Sequence, residues 1–137
     1  MALNAKLFMR GNYDVLECEY EFLQPVKGNG QPAGRPNGGL IQLIIVSPDD
    51  SDLQFHAWMR EKTEMRDGVI TFLVVSDSNK TTTKTVHFKD AYCIKLREFF
   101  NAQNEFQMCT KLTISAGEIS FGKGREITFK NDGKLSY

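Results

Sequence analysis

The chain has 137 residues, with 17 Lys and Arg against 17 Asp and Glu, and 41% of the residues are hydrophobic. This length fits one domain, residues 1–137, with a single hydrophobic core. Balanced charge lacks the basic footprint of a protein that neutralises several phosphates, so we expect no nucleic acid partner. No run approaches the ~18 apolar residues of a membrane helix, which predicts no direct membrane insertion. The N-terminal residues show no signal-peptide pattern, so we expect synthesis in the cytoplasm without export by the general secretory route.

Alternating apolar and polar residues predict antiparallel strands along most of the chain. A first strand precedes a tight turn at Gly11 and Asn12. The second strand is the clearest, since four apolar or neutral positions alternate with three glutamates. The apolar set is Leu16, Cys18, Tyr20 and Phe22, and the acidic set is Glu17, Glu19 and Glu21. We expect one face of this strand to join the core and the other to meet water.

The segment from Gln24 to Gly39 is half glycine or proline and lies between two segments of strong strand character. A loop of this length without secondary structure is uncommon inside a compact domain and is usually a binding element, a lid or a linker. Because both flanks belong to one sheet system, we expect the loop to project from a β-domain toward a partner. The residues that we expect at this inter-subunit contact are Pro25, Lys27, Gly34, Arg35 and Pro36.

A β-branched run over residues 40–46 follows and is typical of a more central strand. Ser51 and Gln54 then have the spacing of a capping box, which predicts a helix over about residues 51–62. Phe55, Trp58 and Met59 follow at helical spacing and form an apolar stripe. We expect this stripe to pack on the β-domain.

The remaining sequence predicts further strands. Residues 69–75 and 81–88 flank a polar turn and suggest a hairpin. A separate strand is expected over residues 92–97, another over residues 106–115, and two weaker ones near residues 119–121 and 127–129. This gives about eight strands and one helix without a βαβ rhythm, and it favours a mainly β barrel or sandwich.

Residues suited to catalysis do not converge in this sequence. His56 and His87 lack the spacing of a metal site. The glutamates of the second strand point to one solvated face, which is typical of an acidic strip rather than of a catalytic pair. We therefore expect no enzyme activity, no metal and no cofactor. The isolated cysteines are expected to be buried reduced thiols: Cys18, Cys93 and Cys109.

Five segments carry a family resemblance in consistent order and spacing. They are residues 11–20, residues 34–36 with Gly38 and Gly39, residues 52–59, residues 89–92 and residues 112–119. Together they resemble the type VI secretion tube proteins called Hcp or TssD, particularly the branch found in Bacteroidetes. The resemblance covers nearly the whole chain.

The resemblance implies a two-sheet antiparallel β-barrel with one flanking α-helix and a long extended loop that reaches neighbouring subunits. It further implies that six copies form a homohexameric ring and that the rings stack into the inner tube of a contractile injection machine. Sheath and spike proteins are the implied partners, and secreted effectors are the implied cargo. The implied route out of the cell is the machine itself.

Two alternatives stay open at this point. The chain could be the tube protein of a phage tail or of an extracellular contractile injection particle, which neighbouring genes would distinguish. It could also be a monomeric β-barrel that binds a small ligand, which a measurement of molecular mass would distinguish.

Overall fold

The computed structural model describes residues 4–24, 26–33 and 39–131. Within these residues the chain forms seven strands and one helix. In chain order they are β1 (Ala5–Phe8), β2 (Asn12–Tyr20), β3 (Leu40–Val46), α1 (Gln54–Arg60), β4 (Arg66–Val75), β5 (Thr81–Phe100), β6 (Met108–Phe121) and β7 (Ile127–Lys130). The prediction of a mainly β fold with one helix is confirmed.

The strands pair in the antiparallel order β3-β2-β1-β4-β5-β6-β7, and β3 also pairs with β6. Six strands therefore close a barrel, and β7 extends beyond it. Closure matters because a strand with an unpaired edge is a template for uncontrolled pairing with other chains. The pairing forms one continuous sheet, so it does not distinguish the two sheets that the family resemblance implies.

Strand β6 borders three other strands along its length. Its residues 109–115 pair with β3, residues 118–121 pair with β7, and the opposite edge pairs with β5. Between the two partners on one edge, the Asn131 amide donates to the Gly117 carbonyl over 2.8 Å. This strand is the central structural element of the barrel.

The prediction of about eight strands is wrong in two places, because β5 and β6 each unite segments that were expected to be separate. The β5 backbone has a positive φ of 55° at Asp90, and its register shifts between Cys93 and Lys95. Such bulges bend a strand and change which side chains face inward without ending the ladder. In the sequence, a bulge interrupts the apolar alternation and therefore resembles the end of a strand.

A bulge also divides β2. Its register shifts between Val15 and Glu17, so that Tyr13 and Val15 are buried before it and Cys18 is half-buried after it. The predicted wet face is exposed at Glu17 and at the next acidic residues, Glu19 and Glu21. Leu16 lies within the bulge and is only half-buried.

The core fills the barrel and extends to the helix. Its largest fully buried side chains include Trp58, Phe55, Phe88, Leu7, Ile41, Leu43, Ile70, Leu112 and Ile114. Burying a side chain of this kind contributes about 1.5–3 kcal/mol relative to leaving it in water. The helix is only seven residues long, so its stability depends on this packing.

The helix begins later than the predicted residue 51 because the capping box does not form. The Ser51 amide donates instead to Oδ1 of Asp49 over 2.9 Å, and the Gln54 amide donates to Oδ1 of Asp52 over 3.2 Å. The Gln54 side chain donates to the Met9 carbonyl over 2.9 Å. Two aspartates thus bind the amides of this region, and the helix ends at Arg60.

Candidate functional site

The extended loop contains a small hairpin, contrary to the expectation that it lacks secondary structure. Val26 and Pro32 form an antiparallel bridge. The Lys27 amide donates to the Gln31 carbonyl over 2.7 Å, and the Gly30 amide donates to the Lys27 carbonyl over 2.9 Å. Gly30 has a φ of 85°, a conformation that costs glycine nothing. This hairpin holds Lys27 exposed.

Four of the residues expected at the inter-subunit contact lie outside the described residues: Pro25, Gly34, Arg35 and Pro36. Val26 in the described part of the loop is 68% exposed, and Leu23, directly before the loop, is 62% exposed. Exposed apolar side chains on a projecting loop are typical of a surface that another protein covers.

Both ends of the loop are fixed to the barrel. At the first end, Phe22 stacks on Phe129 with ring centroids 4.2 Å apart, and it also contacts Tyr20 and Phe121. At the second end, the Ala116 amide donates to the Gly39 carbonyl over 2.6 Å. Gly39 has a φ of 104°, and an added Cβ would lie 2.8 Å from the Ala116 carbonyl oxygen. The barrel therefore sets the direction in which the loop leaves the surface.

Two residues of the predicted helix stripe are buried in the structure, and the third is partly exposed. Trp58 is 0% exposed, Phe55 is buried, and Met59 is 39% exposed. The Trp58 indole N–H donates to the Glu64 carbonyl over 3.0 Å, and the Arg66 guanidinium lies 5.6 Å from the Trp58 ring. The Met59 sulfur contacts the thiol of Cys93 at 3.8 Å.

A buried polar network joins the helix to the barrel. The guanidinium of Arg66 donates to the main-chain carbonyl and side-chain Oε1 of Gln54, over 3.2 and 3.1 Å, and forms a 2.7 Å ion pair with Glu64. The Tyr13 hydroxyl donates to Asp52. Burial, followed by this hydrogen bond, raises the pKa of Tyr13 to about 12. The network fixes the helix because a buried polar group without a partner is costly.

The outer face of β2, β3, β6 and β5 carries an ordered distribution of charge. Glu17 lies opposite Ile44, which lies opposite Lys111, which lies opposite Arg97. Residues directly opposite one another in neighbouring strands share a face of the sheet. This row therefore has an acidic side chain at its β2 end and basic side chains at its β6 and β5 end.

The adjacent row repeats this arrangement. Glu19 lies opposite Gln42, Thr113 and Lys95 in succession. We call the acidic side of the face, Glu17, Glu19 and Glu21, the acidic margin. We call the opposite side, Lys95, Arg97 and Lys111, the basic margin.

A groove of about 370 Å³ borders the basic margin. It lies between the end of the helix and β5, and its walls include Met59, Lys62, Tyr92 and Ile94. Three of its apolar side chains, Met59, Tyr92 and Ile94, are exposed. The groove can therefore accept an apolar side chain from outside the subunit.

The histidines and cysteines make local contacts. His56 Nε2 lies 2.5 Å from a carboxylate oxygen of Glu98, and His87 Nε2 lies 3.2 Å from the Gly122 carbonyl. Burial raises the pKa of the Cys18 thiol to about 11. Over the described ranges, no group of three or more His, Cys, Asp and Glu side chains is placed to hold a metal ion. In the same part of the chain, no helix is long and apolar enough to cross a membrane.

A closed barrel with a projecting loop and two oppositely charged margins presents surfaces through which copies of a subunit can assemble. Residues 1–132 match the family of Hemolysin coregulated protein Hcp (TssD), and the chain belongs to this family. The family consists of structural tube proteins of type VI secretion systems and not of enzymes. The chain is accordingly a type VI secretion tube subunit.

Solved structures agree with this assignment. Hcp1 from Flavobacterium johnsoniae is 29% identical, with a TM-score of 0.77 over 93% of this chain and 99% of that chain. Hcp1 from E. coli shares the fold at 10% identity, with a TM-score of 0.70 over 95% of this chain and 98% of that one. The anti-feeding prophage tube-terminating cap shares the fold at 12% identity, with a TM-score of 0.54 over 89% of each chain. No curated protein matches the sequence.

Proposed function

We propose that six copies of this chain form a ring and that the rings stack into the inner tube of a type VI secretion machine. The observation that carries the proposal is the match of residues 1–132 to the Hcp (TssD) family, together with the common fold of the Flavobacterium johnsoniae Hcp1. A closed barrel supports it, because six of the described strands have no free edge, which leaves side chains, loops and the outer edge of β7 for contacts with neighbours.

The extended loop is the first contact that we assign to assembly. Pro25, Lys27, Gly34, Arg35 and Pro36 belong to it; Val26 in its described part and Leu23 just before it are exposed. Covering these apolar side chains would remove them from water and favour association. Docking on a neighbouring subunit provides that cover.

The assembled tube interacts with sheath and spike proteins and carries secreted effectors in or on it. The chain thus leaves the cell through the machine rather than by a signal peptide. A likeness to a crystallised type VI effector from Yersinia pestis, at 7% identity and a TM-score of 0.61, shows a shared fold. Pull-down of effectors by the purified ring is the direct test of cargo binding.

The ring is tested by multi-angle light scattering and negative-stain imaging of the purified chain. We expect a mass near six times 15.6 kDa and round particles with a central pore. A monomer at tens of micromolar in ordinary buffer would contradict the proposal and would favour the ligand-binding barrel instead.

The fold shared with the anti-feeding prophage cap favours a second candidate, the tube of an extracellular injection particle or phage tail. Both candidates predict rings, so mass alone does not separate them. Deletion of the gene in its host, followed by imaging for tubes anchored at the cell envelope or released outside, does separate them.

A further inference from the structure

We infer that neighbouring subunits of the ring meet through opposite charges, with the acidic margin of one copy against the basic margin of the next. The occupant of each margin is thus a second copy of this chain. The inference rests on the proposed ring and specifies which surfaces close it.

The charges of both margins are available for an external partner. Among the described residues, neither margin makes an ion pair within the subunit, although Lys6 pairs with Asp14 at 3.0 Å and Lys130 with Glu118 at 3.7 Å on other parts of the barrel. Arg97 makes only a cation–π contact, 5.5 Å from the Phe99 ring. This face therefore carries charge of both signs that no ion pair among the described residues neutralises.

The spacing of the strands explains why the two margins do not pair with each other. Neighbouring strands lie about 4.8 Å apart, so Glu17 on β2 and Arg97 on β5 are separated by about 14 Å across β3 and β6. That separation exceeds the Debye length of about 8 Å at physiological ionic strength. Ile44 and Gln42 on β3 add no charge, and Lys111 on β6 is two strand spacings, about 10 Å, from Glu17, which also exceeds this length.

Cyclic symmetry requires this type of surface. In a ring, one patch of each subunit contacts a different patch of the next, so the two patches must be complementary to each other. An acidic margin and a basic margin satisfy this condition. Their charges are therefore complementary in the head-to-tail contact that closes a ring.

The loop and the groove lie at matching levels on the two margins. Tyr92 lies opposite Ser115 and then Leu40, and the last paired residue of β2, Tyr20, lies opposite the adjacent Ile41. The loop therefore leaves the acidic margin at the end of the face where the groove borders the basic margin. When the margins meet, the exposed loop of one copy approaches the apolar groove of the next.

The test reverses one margin at a time. The variant Glu17→Lys/Glu19→Lys has two basic margins, and the variant Lys95→Glu/Arg97→Glu has two acidic ones. We expect each variant alone to lose the ring, with the midpoint concentration of assembly raised roughly tenfold or more. Asp77→Lys/Lys80→Glu reverses exposed charges in the β4–β5 turn and is the matched control that keeps the ring.

Mixing the two variants is the decisive part of the experiment. Equal amounts should restore rings of six by alternation of the two kinds of subunit, and the chain with all four substitutions should form rings by itself. Light scattering measures the mass, and circular dichroism checks that each variant is folded. Restoration in the mixture would support the inference and also exclude misfolding as the cause of the loss.

The outcomes separate the inference from the proposed function. If the unmodified chain forms rings and each single-margin variant forms them equally well, the charged margins do not close the ring and the inference fails alone. If the variants lose the ring and neither the mixture nor the fourfold variant restores it, charge complementarity is likewise overturned. If the unmodified chain is monomeric, the proposed function fails and the inference fails with it.

Discussion

Trp58 joins the helix to the barrel through three kinds of contact. It is fully buried, its indole donates to the Glu64 carbonyl, and the Arg66 guanidinium lies over its ring. We expect Trp58→Ala to lower the free energy of unfolding by about 3–5 kcal/mol, because it leaves a cavity and an unpaired carbonyl. Urea unfolding followed by circular dichroism measures this loss.

Met59 provides the control for that prediction, since it is adjacent in sequence and 39% exposed. Met59→Ala should cost less than half as much as Trp58→Ala. Equal stability of Trp58→Ala and the unmodified chain would contradict the packing described for the helix.

The thiol of Cys18 makes the free energy of unfolding depend on pH in the alkaline range. Its pKa is raised by burial from 9.0 to about 11. Between these values the unfolded chain releases the proton while the folded chain retains it, so the folded state loses stability as pH rises. This contribution is fully present below pH 9, and we expect the urea midpoint to fall between about pH 9 and pH 11.

Cys18→Ala separates this effect from other groups that titrate in the same range. The substitution should make the fall in midpoint shallower, although burial also raises the pKa of Cys93 and of Tyr20. The comparison is of slopes, because loss of the sulfur also changes stability at neutral pH. An identical slope in the two proteins would be inconsistent with a half-buried Cys18 thiol whose pKa is raised.

At the scale of elements, β4 packs closely on β5 at Gly68. A Cβ at this position would collide with the ring of Phe88, which is buried in the core. Gly68→Ala should therefore destabilise the fold by about 1–3 kcal/mol, because the ring has to move within a packed interior. Gly28→Ala is the matched control, since a Cβ at Gly28 has no neighbour within 4 Å. Comparable melting temperatures for the two variants would argue against this packing.

The sequence predicts those elements whose apolar pattern agrees with their burial. The alternation that follows the bulge of β2, from Glu17 onward, and the stripe of Phe55 and Trp58 are such cases. Prediction from the sequence fails where tertiary contacts compete with local contacts. Gln54 has the spacing for a capping box, but its amide group binds the Met9 carbonyl of another part of the chain.

The length of β5 could not be read from the pattern because bulges interrupt the alternation while pairing continues. The hairpin within the extended loop was also missed. The available signal in the sequence was the Asn29-Gly30 dipeptide, which favours a tight turn. In the structure the Asn29 side chain accepts from the Gln31 amide. The charge margins required the register, since Glu17 and Lys111 are far apart in sequence.

At the scale of the whole molecule, the loop is separable from the barrel. The core has no side chain from the described residues of the loop, which are residues 24, 26–33 and 39, and the loop ends are held by Phe22 and Gly39. Replacing the segment between them by a four-residue turn should leave the circular dichroism spectrum unchanged while it weakens ring formation or stacking. Light scattering on the same sample measures assembly, and normal rings and tubes would exclude the loop from that process.

The pairing of β3 with β6 also determines when the chain can fold during its synthesis. Leu40 pairs with Ser115 and Val46 with Cys109, so one edge of β3 has no partner until most of the polypeptide has left the ribosome. Closing a loop of this length has an entropic cost that precedes any gain from the contact. The nascent chain therefore presents an apolar strand, Leu40–Val46, for most of its translation, and shielding of that strand would favour the yield of native barrel.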